Sequence, residues 1–418
     1  MSHYRPYPAY RDSGVEWIGD VPSHWKTLRL ANVGSLMKAN GGSKQDDSDC
    51  GVPCVRYGDL YTTYDFLIRN IPKFIKPETE IGYTPIKYGD LLLAASGETF
   101  EEIGKSAVNL VTADACCGGD IVILRPNREI DPVFLAYAAG SISAQAQKSL
   151  MGKGFTVIHV YGDQLRNLVI AAPAEQEQEI IGAKIERETA RIDALISKKT
   201  RFIELITEKI LAMVDHSFEH QDTRWIRLQH VCEIISRPVS QQDGEGYTRL
   251  GLYNRGRGAF KKEEAGNEDM GDSDFFWIDE GDLILSGQFA WEGAVALATK
   301  EHSSCVVSHR FPVIQGRNGE SLTEYLFALF MTHYGDFILN DCSRGSAGRN
   351  RPLNINALLK WKIPIPPIDY QKQIALLVSL REQIRVKTER SIALLKERRS
   401  SLITAAVTGQ IDLRGEIA

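Results

Sequence analysis

Two stretches of the chain repeat apolar side chains in steps of four and three. From Ile181 the series Ile181, Ile185, Glu188, Ile192, Leu195, Lys199, Phe202, Ile206, Lys209, Met213 is mostly apolar, as a coiled-coil seam requires. No Pro or Gly falls between Lys184 and Val214, so the pattern predicts one long helix over residues 173–214. A second seam, Ile374, Leu377, Ile384, Leu395, Leu402 and Ala405, predicts another helix over 367–407, with Arg381, Thr388, Ser391 and Arg398 as its polar members. Polar members weaken a pure two-stranded zipper and suit helices that also meet other partners. At 1.5 Å per residue, helices of about forty residues are each about 60 Å long, the length of a spacer.

Ahead of the first seam the period changes. From Trp25 to Ala172 short apolar runs alternate with turn signals, in VPCVRYGDL, YGDLLLAAS, GGDIVILRP and VIHVYGDQLRNLVIAAP. Runs of this kind, closed by Gly-Asp turns, predict the strands of a β-rich domain. One helix is predicted over 131–148, where Asp131 can cap and Pro132 sits in the first turn. The opening YPAYRDSGVEWIGDVPSHW carries little periodicity and reads as an irregular arm packed through Tyr7, Tyr10, Trp17, Ile18 and Trp25.

The same programme follows the first seam. Trp225, Arg227 and Leu228 follow the spacing of Trp25, Thr27 and Leu28, and YTRLGLY echoes VRYGDLY. EGDLILSGQ answers YGDLLLAASGE, and LLKWKIPIPPIDYQKQI answers LRNLVIAAPAEQEQEI. A common offset of about 190 to 200 residues marks a tandem duplication of one domain plus one helix. The expected fold class is therefore α+β, a pseudo-twofold tandem repeat of two β-rich domains, 22–172 and 215–366, separated by two long antiparallel coiled-coil helices, 173–214 and 367–407. An arm at 1–21 and a tail at 408–418 each supply part of what the linker Asp215 to Arg224 supplies in the middle.

Composition narrows the class. A chain of 418 residues exceeds a single ordinary core, and 43% hydrophobic with 25% charged residues is ordinary for a globular protein. No apolar run approaches the roughly 18 residues of a membrane span, and the N-terminus lacks the apolar core of a signal peptide, so a cytoplasmic location is expected. Seven scattered cysteines fit reduced thiols. Cys50, Cys54, Cys116 and Cys117 make a poor zinc set, because a vicinal pair fits tetrahedral spacing badly, and no metal site is expected. A net charge of −5 and a pI near 6.0 argue against wrapping nucleic acid through bulk positive charge. Any basic surface must be local or supplied by a partner.

Enzymatic motifs fail on spacing. Between Gly97 and Gly104-Lys105-Ser106 stand six residues, where a phosphate loop needs four for its amides to cradle phosphate. Asp131-Pro132-Val133-Phe134 is a near miss to an amino-methyltransferase tetrad and is better read as a helix start. No nuclease pattern or metal-spaced His pair stands out, and the chain is expected to catalyse nothing. Basic glycine-containing loops are more informative. Arg255 and Arg257 stand among glycines and aromatics in RLGLYNRGRGAFKK. CSRGSAGRNRPLN packs Arg344, Arg349, Asn350 and Arg351, and its counterpart LMGKGFTVIHV holds Lys153 between glycines. Arginine forks suit guanine edges and phosphates. Arg255, Arg257, Arg349, Asn350 and Lys153 are candidates for base edges, with Lys105, Arg344 and Arg351 nearer phosphate.

The arm YRDSGVEWIGDVPSHW, the junctions PAEQEQEI and PPIDYQKQI, and the closing LITAAVTGQIDLRG together resemble the specificity subunit of type I restriction-modification systems, over essentially the whole chain. Ala172-Pro173 and Asp369-Tyr370-Gln371 depart from the Pro-Pro and Glu-Gln pattern common at these junctions. The resemblance implies two target-recognition domains, each reading half of a bipartite, asymmetric DNA site. It implies that the helices act as a ruler and dock two modification (methyltransferase) subunits, with restriction subunits outside them. S-adenosylmethionine, ATP and magnesium then belong to the partners, and this chain needs no cofactor. Two rival readings are a coiled-coil adaptor that binds protein and not DNA, and the recognition chain of a different methyltransferase-nuclease system. The adaptor does not explain basic loops at matching repeat positions.

Overall fold

A computed structural model describes residues 4–240, 246–266, 273–345 and 351–415. The two stretches of helical period form helices over Glu175–Ser217 and Ile368–Val407, and the β-rich domains around them make the fold mixed α+β. The chain divides into two compact units, Met1–Ile196 with Ile392–Ala418, and Ser197–Ser391, so each long helix contributes a segment to each unit. Among the described residues no helix is long and apolar enough to cross a membrane.

In the first unit one sheet runs in the order Gly34–Lys38, Ile121–Pro126, Leu91–Ala94, Ser106–Asn109, Leu67–Ile68. Every residue of Leu91–Ala94 is buried, as a strand covered on both faces requires. A second sheet runs Asp47–Ser48, Phe74–Ile75, Val52–Val55, Ala115–Cys117, Thr84–Ile86. The Gly-Asp turn that enters Leu91–Ala94 closes on buried Asp90, which accepts the Lys87 amide at 2.7 Å and the Arg125 guanidinium at 2.9 and 2.7 Å. The helix expected over 131–148 is two helices, Pro132–Gly140 and Ile142–Met151. Asp131 caps the first by accepting from the Phe134 amide at 2.7 Å. Ser141 then turns extended, and its hydroxyl accepts from the Ala144 amide to start the second.

Ile181, Ile185 and Ile192 of the first long helix enter this unit's core together with Leu402, Ile403 and Ala405 of the second. Gly182 permits the approach, because a Cβ there would lie 3.0 Å from the Asp131 carboxylate. Both chain ends also belong to this unit. Glu177 accepts from the Tyr7 hydroxyl at 2.9 Å and the Trp25 indole at 3.2 Å, with His24 at 3.1 Å and Arg414 at 3.5 Å. The Asp412 amide donates to the Arg5 carbonyl at 2.8 Å, and Tyr10 donates to the Gly409 carbonyl at 3.1 Å. Arm and tail are thus stitched to each other over the helix start.

The second unit repeats the topology. Its sheets run Cys232–Ile234, Val313–Gly316, Leu283–Leu285, Val295–Leu297 and Ala259–Gly266, Gly246–Leu252, Cys305–Ser308, Phe275–Ile278. In both units the second sheet contains one parallel pair, Cys116 beside Cys54 and Val306 beside Arg249. Asp282 takes the place of Asp90, accepting the Asp279 amide at 2.9 Å and Arg237 at 2.7 Å. Ile210, Val214, Ile374 and Val378 bring the long helices into its core.

The register of the repeat differs from the one read off the tryptophans. Lys26–Arg29 pairs with Val169–Ala172, and Arg224–Arg227 pairs with Lys362–Ile365. Short helices follow at Leu30–Val33 and Leu228–Val231. Trp225 therefore corresponds to Thr27, two places from Trp25, and the two indoles do different work: Trp25 is buried under the arm, whereas Trp225 is half exposed beside Phe218 and Tyr334. A more faithful marker is the buried pair Gln178 and Gln371. Gln178 donates to the Pro173 carbonyl at 2.9 Å and accepts the Asp131 amide at 3.0 Å. Gln371 donates to the Pro366 carbonyl at 2.9 Å and accepts the Leu322 amide at 2.9 Å. Asp131 and Leu322 each stand at the start of the first domain helix, so one glutamine per unit locks strand end, long helix and domain helix together.

Candidate nucleic-acid interface

In the second unit the chain between Gly246–Leu252 and Ala259–Gly266 forms a tight loop. The Tyr253 amide donates to the Gly258 carbonyl at 2.9 Å, and Arg255 sits in the left-handed region with φ 59°. That conformation is held from the side, since the Arg255 and Gly256 amides donate to the Glu292 and Gly293 carbonyls at 3.1 and 2.9 Å. Gly256 and Gly258, with φ of 58° and 99°, lie too close to their neighbours for a side chain: a Cβ would come within 2.6 Å of Met331 Sδ and 2.7 Å of the Arg385 guanidinium. The glycine backbone is buried while the side chains of Tyr253, Arg255 and Arg257 point out to solvent. Arg257 bonds the Asn254 carbonyl through Nε at 3.0 Å and lies 5.5 Å over the Tyr253 ring, which leaves its terminal nitrogens to present. A rigid base carrying exposed guanidinium forks is the arrangement that base-edge and phosphate recognition need.

A hairpin reaches the same neighbourhood. Ser343 and Leu353 close it as an antiparallel bridge, and the Leu353 amide donates to the Gly287 carbonyl at 2.8 Å. Arg351 bonds the Ser343 carbonyl at 3.0 Å and Asn340 at 2.5 Å, and covers Trp291 at 5.0 Å. Glu292, next to Trp291, holds Asn254. The Ala290–Glu292 turn therefore joins Arg351 to the Arg255 and Arg257 loop. Arg351 is spent largely on anchoring the hairpin, and exposed Arg344 pairs with Asp341. Arg349 and Asn350 lie outside the described residues.

The first unit builds a hairpin at the same topological place. Lys153 and His159 exchange amide bonds of 2.8 and 2.7 Å, and Gly154 at φ 134° makes the turn, with no room for a Cβ beside the Val157 carbonyl at 2.1 Å. Lys153 is exposed, and Phe155 at the tip is fully exposed. Phe155 was not among the residues singled out from the sequence; its signal is an apolar ring directly after a Gly-Lys-Gly turn. A cleft of about 430 Å³ opens beside the hairpin, lined by Lys38, Ser96, Asp120, His159, Tyr161 and Arg166. Lys105 is only half exposed, and it stands over Lys148, whose buried ammonium donates to the Gly104 carbonyl at 2.8 Å. Burial, and secondarily Lys105, push the Lys148 amine down from 10.5 to about 7.

The helix seam divides by environment. Ile181, Ile185, Ile192, Leu402 and Ile374 are buried, and Ile206, Leu377, Ile384 and Leu395 are partly so. Leu195 and Phe202 keep 49% and 52% of their surface exposed. Leu195 lines an open groove of about 480 Å³ in the first unit with Tyr4, Leu394, Leu395 and Arg398. Among the described residues no group of three or more His, Cys, Asp or Glu is placed to hold a metal ion.

Comparison with known proteins agrees with this layout. Residues 225–394 match the type I restriction modification DNA specificity domain. No curated protein sequence matches the chain. A solved chain described under complex assembly and conformational transition of the type I R-M system superposes with a TM-score of 0.57 at 18% identity, over 93% of this chain and 98% of that one. The crystal structure of a type I restriction-modification S subunit from M. genitalium superposes with a TM-score of 0.50 at 13% identity, over 92% and 96%. At such identities the likeness is one of fold.

Proposed function

We propose that this chain, which belongs to the DNA-specificity subunits of type I restriction-modification, reads a bipartite, asymmetric DNA site with one half-site per unit. The observation that carries the reading is the pair of antiparallel bridges, Lys153 with His159 and Ser343 with Leu353, at one topological position of two repeated domains whose loops otherwise differ. A shared framework with unlike loop chemistry is what two different half-sites demand. In this reading Arg255, Arg257 and Lys153 approach base edges, together with Arg349 and Asn350, while Lys105 and Arg344 approach phosphate. Arg351 anchors the Ser343–Leu353 bridge.

The chain itself does no chemistry in this proposal. Two modification subunits bring S-adenosylmethionine and transfer methyl groups to the DNA, and restriction subunits bring ATP and magnesium. The long helices are their scaffold, with the exposed Leu195 and Leu395 groove as one docking surface, and the assembly works in the cytoplasm. Partner subunits share the phosphate contacts, which accommodates a net charge of −5.

The test is a map of methylated bases in cells that express this chain with a compatible modification subunit. A new bipartite motif, absent without the chain, supports the reading. An assembled, active complex that yields no new motif points to the adaptor reading instead.

A further inference from the structure

Beneath the Tyr253–Gly258 loop the second long helix buries ions. Arg381, Glu382 and Arg385 retain 4%, 5% and 6% of their surface. Arg381 pairs with Glu382, and Arg385 contacts Glu382 at 2.9 Å and Glu389 at 3.0 Å. Burying charges carries a desolvation penalty that hydrophobic residues of similar volume avoid, so an ionic cluster is a poor way to gain stability. The first unit solves the same packing problem without it. Fourteen residues beyond Gln178 stands Ile192, and fourteen beyond Gln371 stands Arg385; eleven beyond them stand Thr189 and Glu382.

The guanidiniums are aimed. Arg381 donates through Nε to the Thr207 hydroxyl at 2.9 Å and through a terminal nitrogen to the Gly256 carbonyl at 3.2 Å. Gly258 rests on the Arg385 guanidinium, with no room for a Cβ between them. Gly256 and Gly258 flank Arg257, and Arg255 precedes Gly256. One arginine thus holds a carbonyl of the loop while the other supports its floor.

We propose that Arg381 and Arg385 are positioning residues for sequence reading: they fix the height and tilt of the Tyr253–Gly258 loop, and hence the reach of Arg255 and Arg257 to double-stranded DNA. This rests on the reading of that loop as DNA-facing. Recognition geometry has to be held to within about 0.5 Å, and a loop fixed by two planar, multiply bonded guanidiniums meets that demand where a sliding apolar contact does not.

The experiment uses the full chain assembled with its modification subunit and measures methylation rates on cognate DNA and on DNAs altered in one half-site at a time. The variant Arg381→Met with Glu382→Gln removes one charge of each sign and leaves Arg385 paired to Glu389. At the half-site read by the Ser197–Ser391 unit, the cognate-to-altered rate ratio is expected to fall about tenfold or more, while the ratio at the other half-site stays within about twofold. Arg381→Lys, which can still donate to the Gly256 carbonyl, should recover part of the discrimination. Gly258→Ala attacks the contact from the loop side and should produce the same half-site split. If both ratios hold while only thermal stability or overall rate drops, the cluster is merely structural and the inference is overturned. Arg255→Ala with Arg257→Ala separates the two layers. If that pair abolishes discrimination and the Arg381 variant does not, positioning fails and the loop reading stands. If that pair leaves discrimination intact, the loop reading fails and the inference with it.

Discussion

The two units are built to one plan and held together by different chemistry. In the first, the long-helix segment presents Ile185, Thr189 and Ile192 to the core, and Glu177 gathers Tyr7, Trp25, His24 and Arg414 from both chain ends. In the second, Glu382 and Arg385 stand where Thr189 and Ile192 stand in the first, with Arg381 buried beside them, and Tyr370 replaces Glu177, giving one bond of 3.0 Å to the Met213 carbonyl. The second unit's link from long helix to domain is continuous chain, whereas in the first unit the arm and the segment after the second long helix are separate stretches that a buried carboxylate with several donors ties together. Positions that define the framework keep their chemistry: Gln178 and Gln371, and the turn carboxylates Asp90 and Asp282. Even there the donor migrates, from Arg125 to Arg237 with Gln315 at 2.7 Å, because the turn fixes only the acceptor.

The contrast can be broken at several places. The largest effect should come from Ile192→Asp, which places an unpaired charge in the first unit's core and costs about 3 kcal/mol or more. Calorimetry should show that unit's transition lowered and assembly weakened, and an unchanged transition would mean that Ile192 does not support the core. Glu177→Ala comes next, at about 2 to 3 kcal/mol, because it strands the buried Tyr7 and Trp25 donors. Faster tryptic cleavage after Arg11 reports the released arm. Tyr370→Phe, the corresponding change in the second unit, loses one bond and should cost only about 1 kcal/mol; equal costs would erase the distinction drawn between the two junctions.

Lys148 gives the first unit a pH dependence. Folded, its amine titrates at about 7, and unfolded near 10.5, so between those values the unfolded chain holds a proton that the folded one has released. The stability it withholds is fully lost below about 7 and regained as pH rises toward 10.5. Denaturant midpoints of the first unit should climb over that window, and Lys148→Met should flatten the climb. The smallest effect on folding belongs to Phe155→Ala, within about 0.5 kcal/mol, since the ring touches solvent alone. Its DNA affinity should nevertheless drop about tenfold, as loss of an apolar contact with bases predicts. Unchanged binding would remove the hairpin tip from the interface.

Much of this architecture is legible in the sequence because it is written in local periods. The step of four and three marks both long helices, and Gly-Asp followed by three apolar residues marks Leu91–Ala94 and Leu283–Leu285. The offset between repeats is legible, but its register is not: strand pairing is a non-local contact, and two tryptophans near one offset suggested an equivalence that the ladders refuse. The break at Ser141 escapes because a serine between two helical runs reads equally as interior or cap. Arg381 and Arg385 escape for a deeper reason. A charged residue in an apolar seam reads as a solvated position or a weak point, and only the fold reveals the glycine loop above it. The basic loops were visible as chemistry, while the division of labour within them, with Arg351 anchoring and Arg257 presenting, depends on Trp291 and Tyr253 being near.

The most direct measurement exchanges one reader. Arg224 pairs with Ile365 at the mouth of the second domain, so residues 224–365 can be replaced by the corresponding segment of another specificity chain without cutting a long helix. Methylated bases are then mapped with the same modification subunit. One half of the motif should change to that of the donor while the other half stays as it was. A motif altered in both halves, or in neither, would contradict the assignment of one half-site to each unit.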